Sequence, residues 1–170
     1  RMSRQSKGKP TKGNRAGVHP APASLTRGGA PSDTGWSYRE WLVALALLLA
    51  VWIVFGQTAR HEFVNFDDDV YVYNNEVVAQ GLTGDGFIWA FTHAHGATWH
   101  PLTTLTHMLD CELFGLNPGG HHVMNVLFHG VTVVLLFLLL RTATGDLGKS
   151  VFVAALFALH PLRVESVAWV

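Results

Sequence analysis

From Trp41 to Ala59 the chain runs nineteen residues without a charge, most of them Leu, Val, Ala or Ile. At ~1.5 Å per residue in a helix, such a run reaches about 28 Å, enough to cross the hydrocarbon core of a bilayer. A second apolar run extends from His121 to Leu140 and is closed by Arg141. A third begins at Val151, after Lys149, and is still apolar at Val170, so the chain reads as a fragment of a longer membrane protein. Thr144-Gly145-Asp146 is a turn signal between the last two runs. The pattern predicts an α-helical integral membrane protein, with a first span over 36–60, a second over 121–141, a loop over 142–149 and a third apolar segment over 150–170.

Residues 61–120 are too many for a plain connection and carry a periodicity of their own. Leu102, Leu105, Leu109 and Leu113 recur at helical spacing, with Thr103, Thr104, His107 and Asp110 between them. This predicts an amphipathic helix that lays its leucines on a membrane or on other helices. Phe87 to Phe91 marks a second, short interfacial helix starting near Thr83, and Asn117-Pro118-Gly119-Gly120 breaks the chain before the second span. On that span, at about 100° per residue, His121, His122, Asn125, His129 and Thr132 share one polar stripe. Such a stripe must face protein or a water-filled cavity, never lipid. It is expected to lack partners within these residues and to need further spans.

Charge gives this layout a direction. Residues 1–35 hold seven basic side chains against Asp33 alone, whereas 61–120 hold eight acids and no Lys or Arg. Because basic flanks stay on the cytoplasmic side, the tail and the Arg141–Lys149 loop are expected inside and 61–120 outside. The tail, with four of the seven prolines and almost nothing to bury, is expected to be disordered. It lacks interleaved aromatics, and membrane insertion already explains its charge, so nucleic acid is not the partner. Gln57 and Ala59 make a poor signal-peptide cleavage site, which favours a retained span. A lone Cys111 excludes an intrachain disulfide.

Chemistry concentrates outside the membrane. Asp67-Asp68-Asp69 begins eight residues after the first run, flanked by Phe63, Val64 and Phe66 and by Val70, Tyr71, Val72 and Tyr73. The triplet is a cation site, a general base with a supporting acid, or an acidic turn. The alternating ligands and glycine of a calcium loop are missing between Asp67 and Glu76. A carboxylate held among aromatics is pushed towards neutrality and becomes competent as a base. All histidines but His19 lie between His61 and His160. His129 suits interhelical bonding and a substrate-lining role equally. His93-x-His95 and His107-x2-Asp110-Cys111 offer metal donors. No pair falls at a His-x3-His or Cys-x2-Cys spacing on one helix, so no metal site is assigned and a divalent cation stays open as cofactor. His160-Pro161, with Arg163 and Glu165 following, interrupts the third segment and requires a kink or a cavity wall there.

Several motifs then occur in a telling order: Phe63-Val64-Asn65-Phe66-Asp67-Asp68, Trp99-His100-Pro101-Leu102-Thr103, Phe114-Gly115-Leu116-Asn117-Pro118, Gly120-His121-His122 with Asn125 and His129, and Ala155-Leu156-Phe157-Ala158-Leu159-His160-Pro161 with Glu165. Over residues 61–170 the chain resembles the N-terminal part of the transmembrane, tetratricopeptide-repeat-containing O-mannosyltransferases and their bacterial relatives, of the GT-C superfamily. The animal members resemble Tyr-Arg-Pro-Leu where this chain has Trp99-His100-Pro101-Leu102, and carry His in place of Arg163, so the bacterial branch is the closer.

The resemblance implies a multi-span GT-C-like bundle with a large first outer loop, in a bacterial inner membrane rather than the endoplasmic reticulum. It implies an inverting glycosyltransferase moving a sugar, mannose by analogy, from a polyprenyl phosphate to Ser or Thr of an acceptor protein. Asp67 is then the base and Asp68 its acceptor-binding neighbour. The departing phosphate would be met by His100, His107, His160 or Arg163, with His129 and Glu165 lining the donor site. The competing expectation is a non-catalytic anchor for a downstream repeat domain.

Overall fold

Ser37 opens the first helix with a capping box: its hydroxyl accepts from the Glu40 N–H, and the Glu40 carboxylate accepts from the Ser37 N–H at 2.8 Å. In the computed structural model, which describes residues 35–64, 68–94 and 98–170, α1 then runs Tyr38–Phe55 and tightens into a 3₁₀ turn over Gly56–Arg60. A π-helical turn, Asp69–Tyr73, is followed by α2 (Glu76–Ala79), α3 (Gly84–Thr92), α4 (Pro101–Phe114), α5 (Pro118–Thr144), α6 (Leu147–Leu159) and α7 (Arg163–Ala168). No strand occurs among the described residues. The basic tail and the expected disorder there lie outside them, as does Asp67.

Two helical stretches, Tyr38–Arg60 and Pro118–Thr144, are long and apolar enough to cross a membrane. Only 28% of each span window is buried inside the protein, so these are not the interior helices of a soluble fold. Ile53, Leu135, Leu139 and Phe152 point outward, fully apolar. The described residues form an all-helical fold with the make-up of an α-helical membrane protein.

The helix limits differ from those expected of the sequence. Asn117 caps α5 through Gly119 N–H, and Pro118 occupies the first turn, where its missing N–H costs nothing. The Pro-Gly-Gly stretch is therefore the start of the helix and not a break before it. A side chain at Gly119 would lie 2.5 Å from the Ala59 carbonyl oxygen, so glycine lets α5 begin against the end of the first span. At the far end only Gly145 and Asp146 separate α5 from α6, with Gly145 in the left-handed region and Asp146 capping Lys149 N–H.

Leu47, Val51 and Phe55 of α1, Val126, Val133 and Phe137 of α5, Ala154 and Ala158 of α6 and Val167 of α7 form one apolar core. The alanines let α6 approach closely, which suits packing without a hydrophobic driving force. Arg141 Nε meets Glu40 Oε1 at 2.8 Å, fixing the end of α5 beside the start of α1. The start of α1 and the α5–α6 turn therefore lie at one end. The 61–120 segment gathers at the other, where Val72, Val78, Met108 and Cys111 make a smaller core.

Within that segment, α3 begins at its Thr83 cap as its sequence predicts. On α4 the ends of the leucine stripe face away from the protein, the arrangement expected of a helix lying on a membrane. Leu102 is 71% exposed and Leu113 58%, whereas Thr104, His107, Met108, Asp110 and Cys111 are buried. Leu105 packs on the small core with Val72 and Met108, while the face with Thr104, His107 and Asp110 packs against the polar stripe of α5.

Candidate functional site

The α5 stripe faces protein but is only partly partnered, since His121 Nδ1 and both ring nitrogens of His122 have no hydrogen-bond partner among the described residues. His121 and His122 are fully buried and His129 is nearly so. His121 Nε2–H donates to the Gly115 carbonyl at 3.0 Å, and its ring meets Phe63 edge-on. His122 faces His61, and the Asn125 amide donates to the Trp169 carbonyl. His129 Nε2–H donates to the Ala158 carbonyl at 3.0 Å. That carbonyl is released by the helix break: the N–H four residues on, Leu162, donates to His160 Nδ1 instead. His129 thus ties α5 to α6 where Pro161 ends the helix. Thr132 is exposed and satisfied by its own helix through Phe128.

Two adjoining cavities share Asn125 and Ser166. One, of about 300 Å³, is lined by Tyr71, His100, Thr103, His107, Asn125 and Glu165 among others. The second, about 210 Å³, has His129, Thr132, Phe157 and Arg163 in its wall. Arg163 stacks over the Phe157 ring at 4.6 Å. The fold therefore gathers His100, His107, His129, Arg163 and Glu165, drawn from α4, α5 and α7, around neighbouring spaces. His160 is not among them: it borders an apolar cavity with Phe152, Leu156 and Leu159 on the outside of α6.

The acidic motif is only partly in view, since Asp67 lies outside the described residues. Asp68 is buried, and its Oδ2 accepts from the Val64 N–H at 2.7 Å. This pins the loop after the first span, and the Asp68 charge is felt at His121 and His122. Asp69 opens the π-helical turn.

One cluster joins two donors that the sequence offered, His107 and Asp110, to a third that its spacing did not. His107 and Asp110 on α4 and His121 on α5 offer donor atoms all within 4.8 Å of one another, all buried. His121 Nδ1 stands 3.8 Å from Asp110 Oδ2. Burial raises the Asp110 carboxyl to about 7 and, with the Asp110 charge beside it, the Cys111 thiol to about 11. The signal missed was the juxtaposition of two helices; His107 and Asp110 share a face of α4, but the third donor comes from across the Gly115–Asn117 turn.

Comparison with known proteins gives this geometry a setting. The chain is 32% identical to mouse (Mus musculus) protein O-mannosyl-transferase TMTC1 over 93% of its length, and 34% identical to the human (Homo sapiens) TMTC1 over 74%. It is 31% identical to mouse TMTC2 over 75%. It spans 17%, 15% and 16% of those relatives, so it corresponds to about a sixth of their length. No protein-family model and no solved structure matches the chain.

Proposed function

We propose that this chain, a homologue of the TMTC protein O-mannosyl-transferases, contributes the first spans and the outer acidic segment of a glycosyltransferase that takes its sugar from a polyprenyl phosphate. The observation that carries the reading is the pair of adjoining cavities, at the end of the spans away from Arg141, with His100, His107, Arg163 and Glu165 in their walls. A lipid-linked donor has its phosphate at the membrane surface, so its site belongs at a span end. A protein hydroxyl attacks the anomeric carbon, a carboxylate takes the hydroxyl proton, and the polyprenyl phosphate leaves with inversion. Asp67 is the base in this scheme. Asp68, already accepting from Val64 N–H, serves by positioning the loop that carries it. Arg163 and the histidines offer the departing phosphate charge and hydrogen bonds. The multi-span bundle, a cytoplasmic N-terminus, a bacterial inner membrane and a Ser or Thr acceptor complete the proposal.

Asp67→Asn in the full-length protein keeps the side chain's shape and removes the proton acceptor. Transfer from a lipid-linked sugar should fall by about 10²–10⁴-fold while the protein still inserts and folds. Undiminished transfer would favour an anchor for a downstream domain instead.

A further inference from the structure

We propose that His107, Asp110 and His121 form a binding site for a divalent transition-metal ion of the zinc class. Three features of the fold converge on it. The donors come from two helices, so their mutual placement is set by packing and not by a flexible loop. Asp110 is 3% exposed and His121 0%, and Asp110 Oδ1 and His121 Nδ1 accept no hydrogen bond among the described residues. Finally, the His121 tautomer is fixed. Its Nε2 faces the Gly115 carbonyl, which can only accept, so the proton sits on Nε2 and the lone pair on Nδ1 points at Asp110.

A lone pair facing an ionised carboxylate at 3.8 Å is a repulsive arrangement, which a proton on Asp110 or a metal ion between the two groups relieves. A histidine that donates its other N–H to a backbone carbonyl has the usual outer support of a metal ligand. Donors on a tetrahedral ion with bonds of about 2.1 Å lie about 3.4 Å apart, so the cluster needs to contract by up to about 1.4 Å at its widest. Asp68 adds a second negative charge acting on His121. Two imidazoles and one carboxylate select a borderline ion such as Zn²⁺, Co²⁺ or Fe²⁺, whereas Ca²⁺ and Mg²⁺ require shells dominated by oxygen.

His107 is also part of the wall of the 300 Å³ cavity, so the ion would sit at the edge of that space. Resting on the transferase reading, this ion supplies positive charge to a phosphate oxygen in a segment with eight acids and no Lys or Arg. Ion binding itself does not depend on that reading.

The test uses the full-length protein in lipid nanodiscs, stripped with chelator and titrated with Co²⁺, following the visible absorption of the bound ion, and with Zn²⁺ by equilibrium dialysis. The site predicts one Co²⁺ bound saturably per chain, displaced by Zn²⁺ and not by Ca²⁺. Asp110→Asn and, at the cavity wall, His107→Gln should each weaken binding by about a hundredfold or more. His93→Ala, which removes an exposed imidazole elsewhere, should leave binding unchanged. Zn²⁺ should raise the melting temperature of the wild type and not that of folded Asp110→Asn protein. No saturable binding by the wild type, or binding that survives both variants, overturns the proposal. Lost transfer by Asp67→Asn with intact Co²⁺ binding separates the two readings.

Discussion

Between α1, α5 and α6 the interior is Leu, Val, Phe and Ala with His129 its main polar member; around α4 and the first turns of α5 it combines His107, Asp110, His121 and His122 with Met108 and Cys111. Both regions bury side chains almost completely, yet the physical terms differ. In the first, contact and shape are everything, because surrounding lipid is as apolar as the helices and little is gained by leaving it. In the second, each buried donor and acceptor needs a partner, and one left alone costs more than it could contribute. A membrane platform can be made of many interchangeable apolar residues. A polar interior tolerates few arrangements, and its presence at one end of the spans marks where chemistry is to be sought.

Substitutions in each region should separate these behaviours. The largest expected loss is Phe137→Ala, which empties a fully buried site between three helices and should cost about 2–4 kcal/mol by unfolding in mild detergent. His129→Leu keeps the bulk but orphans the Ala158 carbonyl, and should cost about 1–2 kcal/mol in the same assay. A loss as large as that of Phe137→Ala would mean that the polar tie and the apolar core unfold as one structure. Glu40→Gln, which neutralises the partner of Arg141 and retains the cap to Ser37, should cost about 1 kcal/mol or less. Leu102→Ser on the outward face of α4 should change stability by under ~0.5 kcal/mol and instead lower partitioning of the segment into vesicles. Substantial unfolding there would show that the leucine stripe is covered by protein.

The long apolar helices and the turn between α5 and α6 were legible in the sequence because an uncharged run and a Gly-Asp turn each act locally, whereas the Ser37 and Asn117 caps were not read from it. The polar stripe of α5 was legible as a stripe because helical periodicity is fixed. Its partners were not: the Ala158 carbonyl becomes available only through the break at His160-Pro161, and the Asp110–His121 approach only through the turn at Gly115. Which setting α4 takes, membrane or other helices, was left open by its sequence for a related reason. Periodicity divides a helix into two faces, and in a membrane setting the apolar face can look out while the polar face packs inward. Of the candidate residues, His100, His107 and Glu165 line one cavity and Arg163 the adjoining one, whereas His160 lies apart and Asp67 falls outside the described residues.

Orientation across the membrane can be checked with the native thiol left in place. Cys111 is buried and its thiol is raised to about 11, so at pH 7.5 it remains protonated and should resist maleimides. An impermeant reagent on intact cells should label Asp85→Cys and spare Asp146→Cys. The reverse pattern would invert the topology.

Whether the polar interior serves chemistry or merely the fold is decided most directly by Asp110→Asn in the full-length protein, measured for transfer and for thermal unfolding of the ion-free form together. Serving chemistry, the substitution should reduce transfer by at least about tenfold and abolish ion binding, while the ion-free protein melts within a few degrees of wild type. Full transfer accompanied by a collapse in melting temperature would contradict the account and make the cluster a structural tie.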